Sequence, residues 1–194
     1  MRVSRPFILG SRSPFRRRIL DQLGYTYEVR SPDIDEKAIR HPIPSQLVLL
    51  LTEAKSKALR QFGDLGDSLL ITADQVVVSG GAIREKPQSA QEARFFLESY
   101  REQPAETISA LGIFDPRTQR YLAGVETAKI FFKDITDHVI DGAIADGTIF
   151  SCSGGFAIEH PILAPCIARI EGTEDSVQGL PISLLQQLLQ AITP

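Results

Sequence analysis

The stretch Phe7-Ile8-Leu9-Gly10-Ser11-Arg12-Ser13-Pro14-Phe15-Arg16-Arg17-Arg18 constrains this chain more than any other. It reads as a short apolar strand over 7–11, a small polar loop and a helix. Ser13 is a good N-cap and Pro14 a good first helical residue, because the proline lacks only an N–H that would have no partner there. Phe15, Ile19, Leu20 and Leu23 fall on one helical face, and Gly24 ends the helix. A strand over 25–30 follows, from its β-branched and aromatic content. The first N–H groups of a helix have no internal partner, so this strand-to-helix junction is a natural place for an anion. Arg12, Arg16, Arg17 and Arg18 add forked donors that match phosphate oxygens. The acidic patch Pro32-Asp33-Ile34-Asp35-Glu36 suggests a divalent cation beside that phosphate.

The remaining pattern alternates strands and helices. Pro42 and Pro44 break the chain, and Ser45 is expected to start a second helix with Leu47, Val48, Leu51, Ala54 and Ala58 on its buried side. A compact apolar strand over 68–72 ends at Ala73-Asp74 and is continued by 75–78. Ser79-Gly80-Gly81 reads as a hairpin turn. Ser89 and Glu92 form a capping box for a helix running to about Tyr100. Two long antiparallel strands, over 107–114 and 121–133, flank the turn Asp115-Pro116-Arg117-Thr118. Thr136 opens a helix that ends near Gly147, and Ser153-Gly154-Gly155 reads as a flexible loop. A strand over 166–170 turns at Glu171-Gly172-Thr173. Gly179-Leu180-Pro181 then introduces a last helix whose Leu184, Leu185, Leu188 and Leu189 point inward. The expected class is α/β, with one elongated, twisted, mixed sheet flanked by helices. No repeat or long linker divides residues 1–194, so one domain is expected, or one domain with two lobes around a central cleft.

With a formal net charge of -3, the chain does not favour broad nucleic-acid binding, which calls for a basic face. Cys152 and Cys166 are too few for a zinc site and read as two semi-buried free thiols, a disulfide being the alternative. No run of apolar residues approaches a membrane span and no leader is evident, so a soluble, cytoplasmic protein is expected.

Six positions stand out chemically, each with a plainer reading beside it. Asp74, just past an apolar strand, is a general base or metal ligand on a rigid support, or it caps a turn. Lys86, fixed in direction by Pro87, is a phosphate contact or a solvated lysine. Lys55 is a phosphate contact at a helix edge or an ordinary helix lysine beside Lys57. Asp35 and Glu36 hold Mg²⁺ together with Asp74, or they line a solvated acidic loop. Glu159 accepts hydrogen bonds from the N–H groups of a base edge, or pairs with a surface cation. There is no P-loop, no GxGxxG and no spacing that argues a nucleophilic triad.

Taken together, these residues resemble the Maf family, also described as septum-formation-inhibitor-like proteins. The resemblance runs nearly end to end. Residues 8–17 are similar to the N-terminal L-A-S-x-S-P-R-R signature, and 32–36 to the acidic motif. Glu53-Ala54-Lys55 with Ala58 is similar to the helical lysine motif. Ala73-Asp74-Gln75-Val76-Val77 and Glu85-Lys86-Pro87 resemble the central motifs. Ser153-Gly154-Gly155-Phe156-Ala157-Ile158-Glu159 resembles the A-G-x-[YF]-x-I-[QE] loop, and Gly179-Leu180-Pro181 the C-terminal G-L-P.

The resemblance implies a nucleoside triphosphate pyrophosphatase that cleaves between the α and β phosphates. Ser11 and Arg16 would hold phosphate, Lys55 and Lys86 would offset developing charge, Glu36 and Asp74 would bind Mg²⁺, and Asp74 would activate the water. It also implies a homodimer that clears unwanted nucleotides; the competing function is a non-catalytic nucleotide-binding regulator of cell division. Two departures bear on the base. Phe15 stands where an arginine is usual, and with Gln75 and Glu159 it resembles members that favour 7-methyl-GTP over dTTP and UTP. An aromatic face and an acidic acceptor suit a cationic methylated guanine; Phe15 also has the spacing to lie on the buried face with Ile19 and Leu23. The second departure is His160, where many bacterial members carry glycine.

Overall fold

A computed structural model describes residues 5–192 of the chain. Its centre is an open mixed sheet of seven strands. The strands are β1 (Phe7–Gly10), β2 (Tyr27–Val29), β3 (Leu69–Ser79), β4 (Ala82–Arg84), β5 (Ala105–Asp115), β6 (Arg120–Phe132) and β7 (Ile167–Glu171). Their order is β2-β1-β3-β5-β6-β7, with β4 paired to β3. The helices are α1 (Pro14–Gln22), α2 (Pro44–Phe62), α3 (Ala90–Ser99), α4 (Asp137–Asp146), α5 (Glu174–Val177) and α6 (Ile182–Ile192). The α/β class expected from sequence is the one observed. No helix is long and apolar enough to cross a membrane, among the described residues.

The chain divides into two compact units. The first comprises the residues up to Asp74, Ser109–Glu126 and those from Gly179 onward. Here β1 runs parallel to both β2 and β3, with Ile8 opposite Glu28 on one side and Leu70 on the other. A parallel strand flanked on both sides and covered by helices is apolar throughout, and every residue of β1 is buried. As expected, Ser13 caps α1, its Oγ accepting from the Arg16 N–H at 3.4 Å. The second helix starts one residue earlier than expected, at Pro44; Ile43, not a serine, takes the cap position, without a side-chain bond. Leu47, Val48 and Leu51 are buried, while Ala54 and Ala58 are only half-buried. Gly10 lets α2 lie close on β1, since a Cβ there would meet Leu59 Cδ1 at 2.6 Å and Thr72 Cγ2 at 2.8 Å. Leu184, Leu185, Leu188 and Leu189 of α6 join Phe7, Leu9, Ile19 and Leu20 in one apolar cluster. Each such side chain contributes about 1.5–3 kcal/mol relative to exposure. Phe15 lies outside that cluster: it is half-buried, with the Arg18 guanidinium 5.9 Å above its ring.

The second unit comprises Gln75–Ile108 and Thr127–Gln178. The β3–β4 hairpin turns at Gly80-Gly81, as expected. Tyr100 stacks on Phe132 at 5.4 Å and meets the edge of Phe156 at 5.6 Å, giving this unit its own aromatic core. The 153–155 segment corrects an expectation. It is not a flexible loop but a buried turn: Gly154 N donates to Glu85 O at 3.1 Å, and Gly154 O accepts from Tyr100 Oη at 2.8 Å. Gly154 sits at φ +73°, and a Cβ would fall 2.8 Å from Val77 Cγ1 and 2.9 Å from Tyr100 Oη. Cys152 and Cys166 are free and buried, and burial pushes both thiols upward in pKa.

Candidate active site

In the first unit the site begins where β1 ends. Ser11 is buried, and its Oγ accepts from Arg16 Nη1 at 3.0 Å and from the Ser13 N–H at 3.2 Å. Arg16 Nε donates to Gly179 O at 2.8 Å, tying α1 to the turn before α6. The serine expected to touch phosphate therefore also aims the arginine expected to do so. Burial lowers the Arg16 pKa while the charges of Asp74 and Glu36 oppose that fall. Arg16 makes no ion pair among the described residues, so its guanidinium is a fixed positive charge suited to an anion.

Asp74 lies in the interior of β3 rather than just past a strand end. Aspartate is disfavoured inside strands, and here a specific partner holds it. Lys55, buried on α2, places Nζ 2.5 Å from Asp74 Oδ1 and 3.0 Å from Glu36 Oε1. Thr72 Oγ1, on the same strand as Asp74, donates to Thr52 O at 3.0 Å, fixing α2 against β3. One ammonium thus gathers two carboxylates from elements far apart in sequence. The Asp74 side chain is 10% exposed and that of Glu36 55% exposed. Burial pushes the Asp74 carboxyl above the usual aspartate range; Lys55 and then Arg16 pull it down without cancelling the effect. A buried carboxylate of raised pKa, held by a fixed cation, suits proton abstraction from water.

Asp74 and Glu36 both reach the same Lys55 nitrogen, and both are oxygen donors of the kind a divalent cation takes. Magnesium commonly takes one or two protein carboxylates and completes its shell with water and phosphate oxygens, so the donor set fits that ion. No group of three or more His, Cys, Asp or Glu that could hold a metal occurs among the described residues. The Asp35 carboxylate accepts from the Lys37 N–H at 3.0 Å and caps the 3₁₀ turn Glu36–Ala38.

The second unit holds the other sequence candidates. Lys86 is exposed, on a segment whose main chain is fixed by the Gly154–Glu85 bond and by Gln88 Nε2 donating to Lys86 O at 2.7 Å. Glu159 is exposed and accepts from Gln178 Nε2 at 2.5 Å. Lys86 and Glu159 both act electrostatically on Cys152, the glutamate raising and the lysine lowering its pKa. Gln75 directs its amide nitrogen to the carbonyls of Ser176 (3.2 Å) and Val177 (2.8 Å). Sequence reasoning misses Gln178; its place immediately before Gly179-Leu180-Pro181 is the only signal that could have found it.

The family model for Maf-like protein matches residues 6–192. The chain belongs to the Maf family. A protein of Dictyostelium discoideum named 7-methyl-GTP pyrophosphatase is 39% identical, covering 98% of this chain and 99% of its own length. A nucleoside triphosphate pyrophosphatase of Thermosynechococcus vestitus is 32% identical over 96% of this chain and 93% of its own. A dTTP/UTP pyrophosphatase of Pelotomaculum thermopropionicum is 30% identical over 94% of each.

For a Maf protein, the histidine after Glu159 now has a physical account. His160 is buried; its Nδ1 accepts from the Ile162 N–H at 3.3 Å, so Nε2 carries the proton and donates to Asp146 Oδ1 at 3.0 Å. Where glycine would leave the turn after Glu159 with only main-chain contacts, histidine pins it to the end of α4.

Proposed function

We propose that this Maf-family protein is a nucleoside triphosphate pyrophosphatase. It adds water across the α–β phosphoanhydride and releases a nucleoside monophosphate and pyrophosphate, with 7-methyl-GTP favoured over dTTP and UTP. The observation that carries the reading is the convergence of Asp74 and Glu36 on Lys55, with the guanidinium of Arg16 in the same unit. Phosphate hydrolysis asks for positioning, charge neutralisation and an oriented water more than for covalent chemistry.

In this reading Ser11, Arg16 and the N-terminus of α1 hold phosphate oxygens. Asp74 removes the proton of the attacking water, and Lys55 keeps Asp74 ionised and in place. Lys86 offsets charge on the leaving pyrophosphate. Glu36 and Asp74 would hold Mg²⁺, which when bound would neutralise phosphate charge and make phosphorus a better electrophile. Phe15 and Glu159 favour a methylated guanine. The Phe15 ring already carries a cation, Arg18, on its face, the kind of contact a positively charged purine would make. The relative at 39% identity bears the matching name. A homodimer in the cytoplasm, clearing modified nucleotides, belongs to the same proposal.

The test is pyrophosphate release with Mg²⁺ across a panel that includes 7-methyl-GTP, GTP, dTTP and UTP. Turnover led by 7-methyl-GTP supports the full reading, and turnover led by dTTP or UTP retains the enzyme and overturns the base assignment. Tight nucleotide binding with no pyrophosphate released would replace it with the regulatory binder.

A further inference from the structure

We infer that Gln178 is a positioning residue that orients the Glu159 carboxylate for base selection, and that Gln75 acts on the same selection through Gln178 instead of through the base. The inference rests on the reading of Glu159 as the base acceptor.

The last carbonyls of a helix have no partner within it. At the end of α5, Ser176 O and Val177 O receive the Gln75 amide at 3.2 and 2.8 Å. The Gln178 N–H closes the helix onto Glu174 O at 2.9 Å, and Thr173 caps its start, Oγ1 accepting from the Ser176 N–H at 3.4 Å. The backbone of Gln178 is therefore fixed on both sides. From that fixed point its side chain donates to Glu159 Oε1 at 2.5 Å. Three residues separated widely in sequence thus form one line: Gln75 amide, α5 carbonyls, Gln178 amide, Glu159 carboxylate.

The chemistry of the donor matters. An exposed glutamate samples several rotamers, and ordering it costs conformational entropy. A neutral amide can restrict that freedom without cancelling the negative charge, whereas a lysine or arginine would neutralise it. A carboxylate has about four lone-pair sites, so the Gln178 amide alone does not saturate it. Glu159 is then an aimed carboxylate acceptor, which is what a cationic purine edge needs. Gln75 sits directly after Asp74, yet its amide N–H groups point to protein carbonyls, which makes its effect on the base indirect.

The experiment is a double-mutant cycle on the full chain, read as kcat/KM for 7-methyl-GTP, GTP and UTP. Gln178→Met keeps the side-chain volume and removes the donor. It is expected to reduce the discrimination between the preferred base and UTP about tenfold, the size expected for losing part of a hydrogen bond to a charged group. The change should be carried by KM. Placed on Glu159→Ala, the same substitution should change discrimination less than about twofold, because its target is gone. Gln75→Met should follow the same pattern, losing discrimination in the parent and changing it little on Glu159→Ala. If Gln178→Met leaves discrimination intact, or lowers it equally with and without Glu159, the inference is overturned. Gln178→Asn, too short to reach, replaces Gln178→Met should the latter melt at a lower temperature than the parent. Absence of all turnover in the parent would instead overturn the pyrophosphatase reading. The Kd of 7-methyl-GTP, measured by calorimetry on the same variants, then carries the cycle. Weaker binding that depends on Glu159 supports the positioning role, and binding that is unchanged, or weakened equally without Glu159, overturns it.

Discussion

Lys55 Nζ stands 2.5 Å from Asp74 Oδ1, a buried ion pair that joins the second helix to the interior of the third strand. The pair sets both the charge and the direction of the carboxylate. Asp74→Asn keeps the shape and removes the base. Turnover should fall by about 10²–10⁴-fold, the usual worth of a general base. The fold should survive, because Glu36 still meets Lys55 at 3.0 Å. Steady-state rates with circular dichroism on the same preparation check both statements.

The same pair fixes the sign of a pH effect. A base must be ionised, so activity is lost as pH falls through the Asp74 pKa, which burial places above the ordinary aspartate value. Lys55 is the largest influence pulling that pKa down. Lys55→Met should therefore move the acid limb of the kcat/KM profile to higher pH, in addition to lowering the maximum. An acid limb that stays in place, or moves to lower pH, would contradict Asp74 as the titrating base.

Glu36 is the more exposed of the two carboxylates, and its oxygen lies 3.0 Å from Lys55 Nζ. Glu36→Gln should raise the Mg²⁺ concentration for half-maximal activity by at least about tenfold, with activity recovered at high Mg²⁺. Chelation with EDTA should abolish turnover in the parent, and Mg²⁺ should restore it. A variant with the parent's Mg²⁺ dependence would remove Glu36 from the metal set.

Much of this was legible in the sequence, and the exceptions have physical causes. Ser13-Pro14 and Gly24 mark α1 because cap and stop chemistry is local. The leucines of α6 reveal their face because the helical period is local too. Membership of one site is not local: Arg16 bonds a carbonyl 163 residues away, and Lys55 a carboxylate 19 away, and no spacing rule reports either. Asp74 looked like a strand end because a charged residue inside a strand needs a partner that the strand itself does not display. The 153–155 turn looked flexible because glycine states what the backbone is permitted to do, not what surrounds it. Helix α5, of four residues, is too short to carry a period.

That turn gives a stability prediction. Gly154 has positive φ, and a Cβ would press on Val77 and Tyr100. Gly154→Ala should cost about 1–3 kcal/mol from overpacking alone, with backbone strain added. Thermal melts should show a loss of about 2–4 °C per kcal/mol. Tyr100→Phe, which removes only the bond from Oη to Gly154 O, should cost about 1–3 kcal/mol by leaving that buried carbonyl without its donor.

The last relationship concerns His160 and Asp146. Asp146 is the final residue of α4, where the helix dipole disfavours a negative charge. Its pKa is nevertheless lowered to about 2, by hydrogen bonds from Thr148 first and from His160 next. A carboxyl whose folded pKa is depressed stabilises the fold above its unfolded pKa, near 4, and loses that contribution as pH falls through the folded value. Asp146→Asn should therefore be less stable than the parent at pH 7, and the gap should close between about pH 4 and pH 2. His160→Gly, which removes the imidazole that meets Asp146, should lower stability at pH 7 and weaken discrimination at Glu159, its chain neighbour. Urea titrations at pH 7 and at pH 2, with kcat/KM for 7-methyl-GTP and UTP, separate the two effects. A gap between Asp146→Asn and the parent that persists unchanged at pH 2 would show that the carboxylate's charge is not its source.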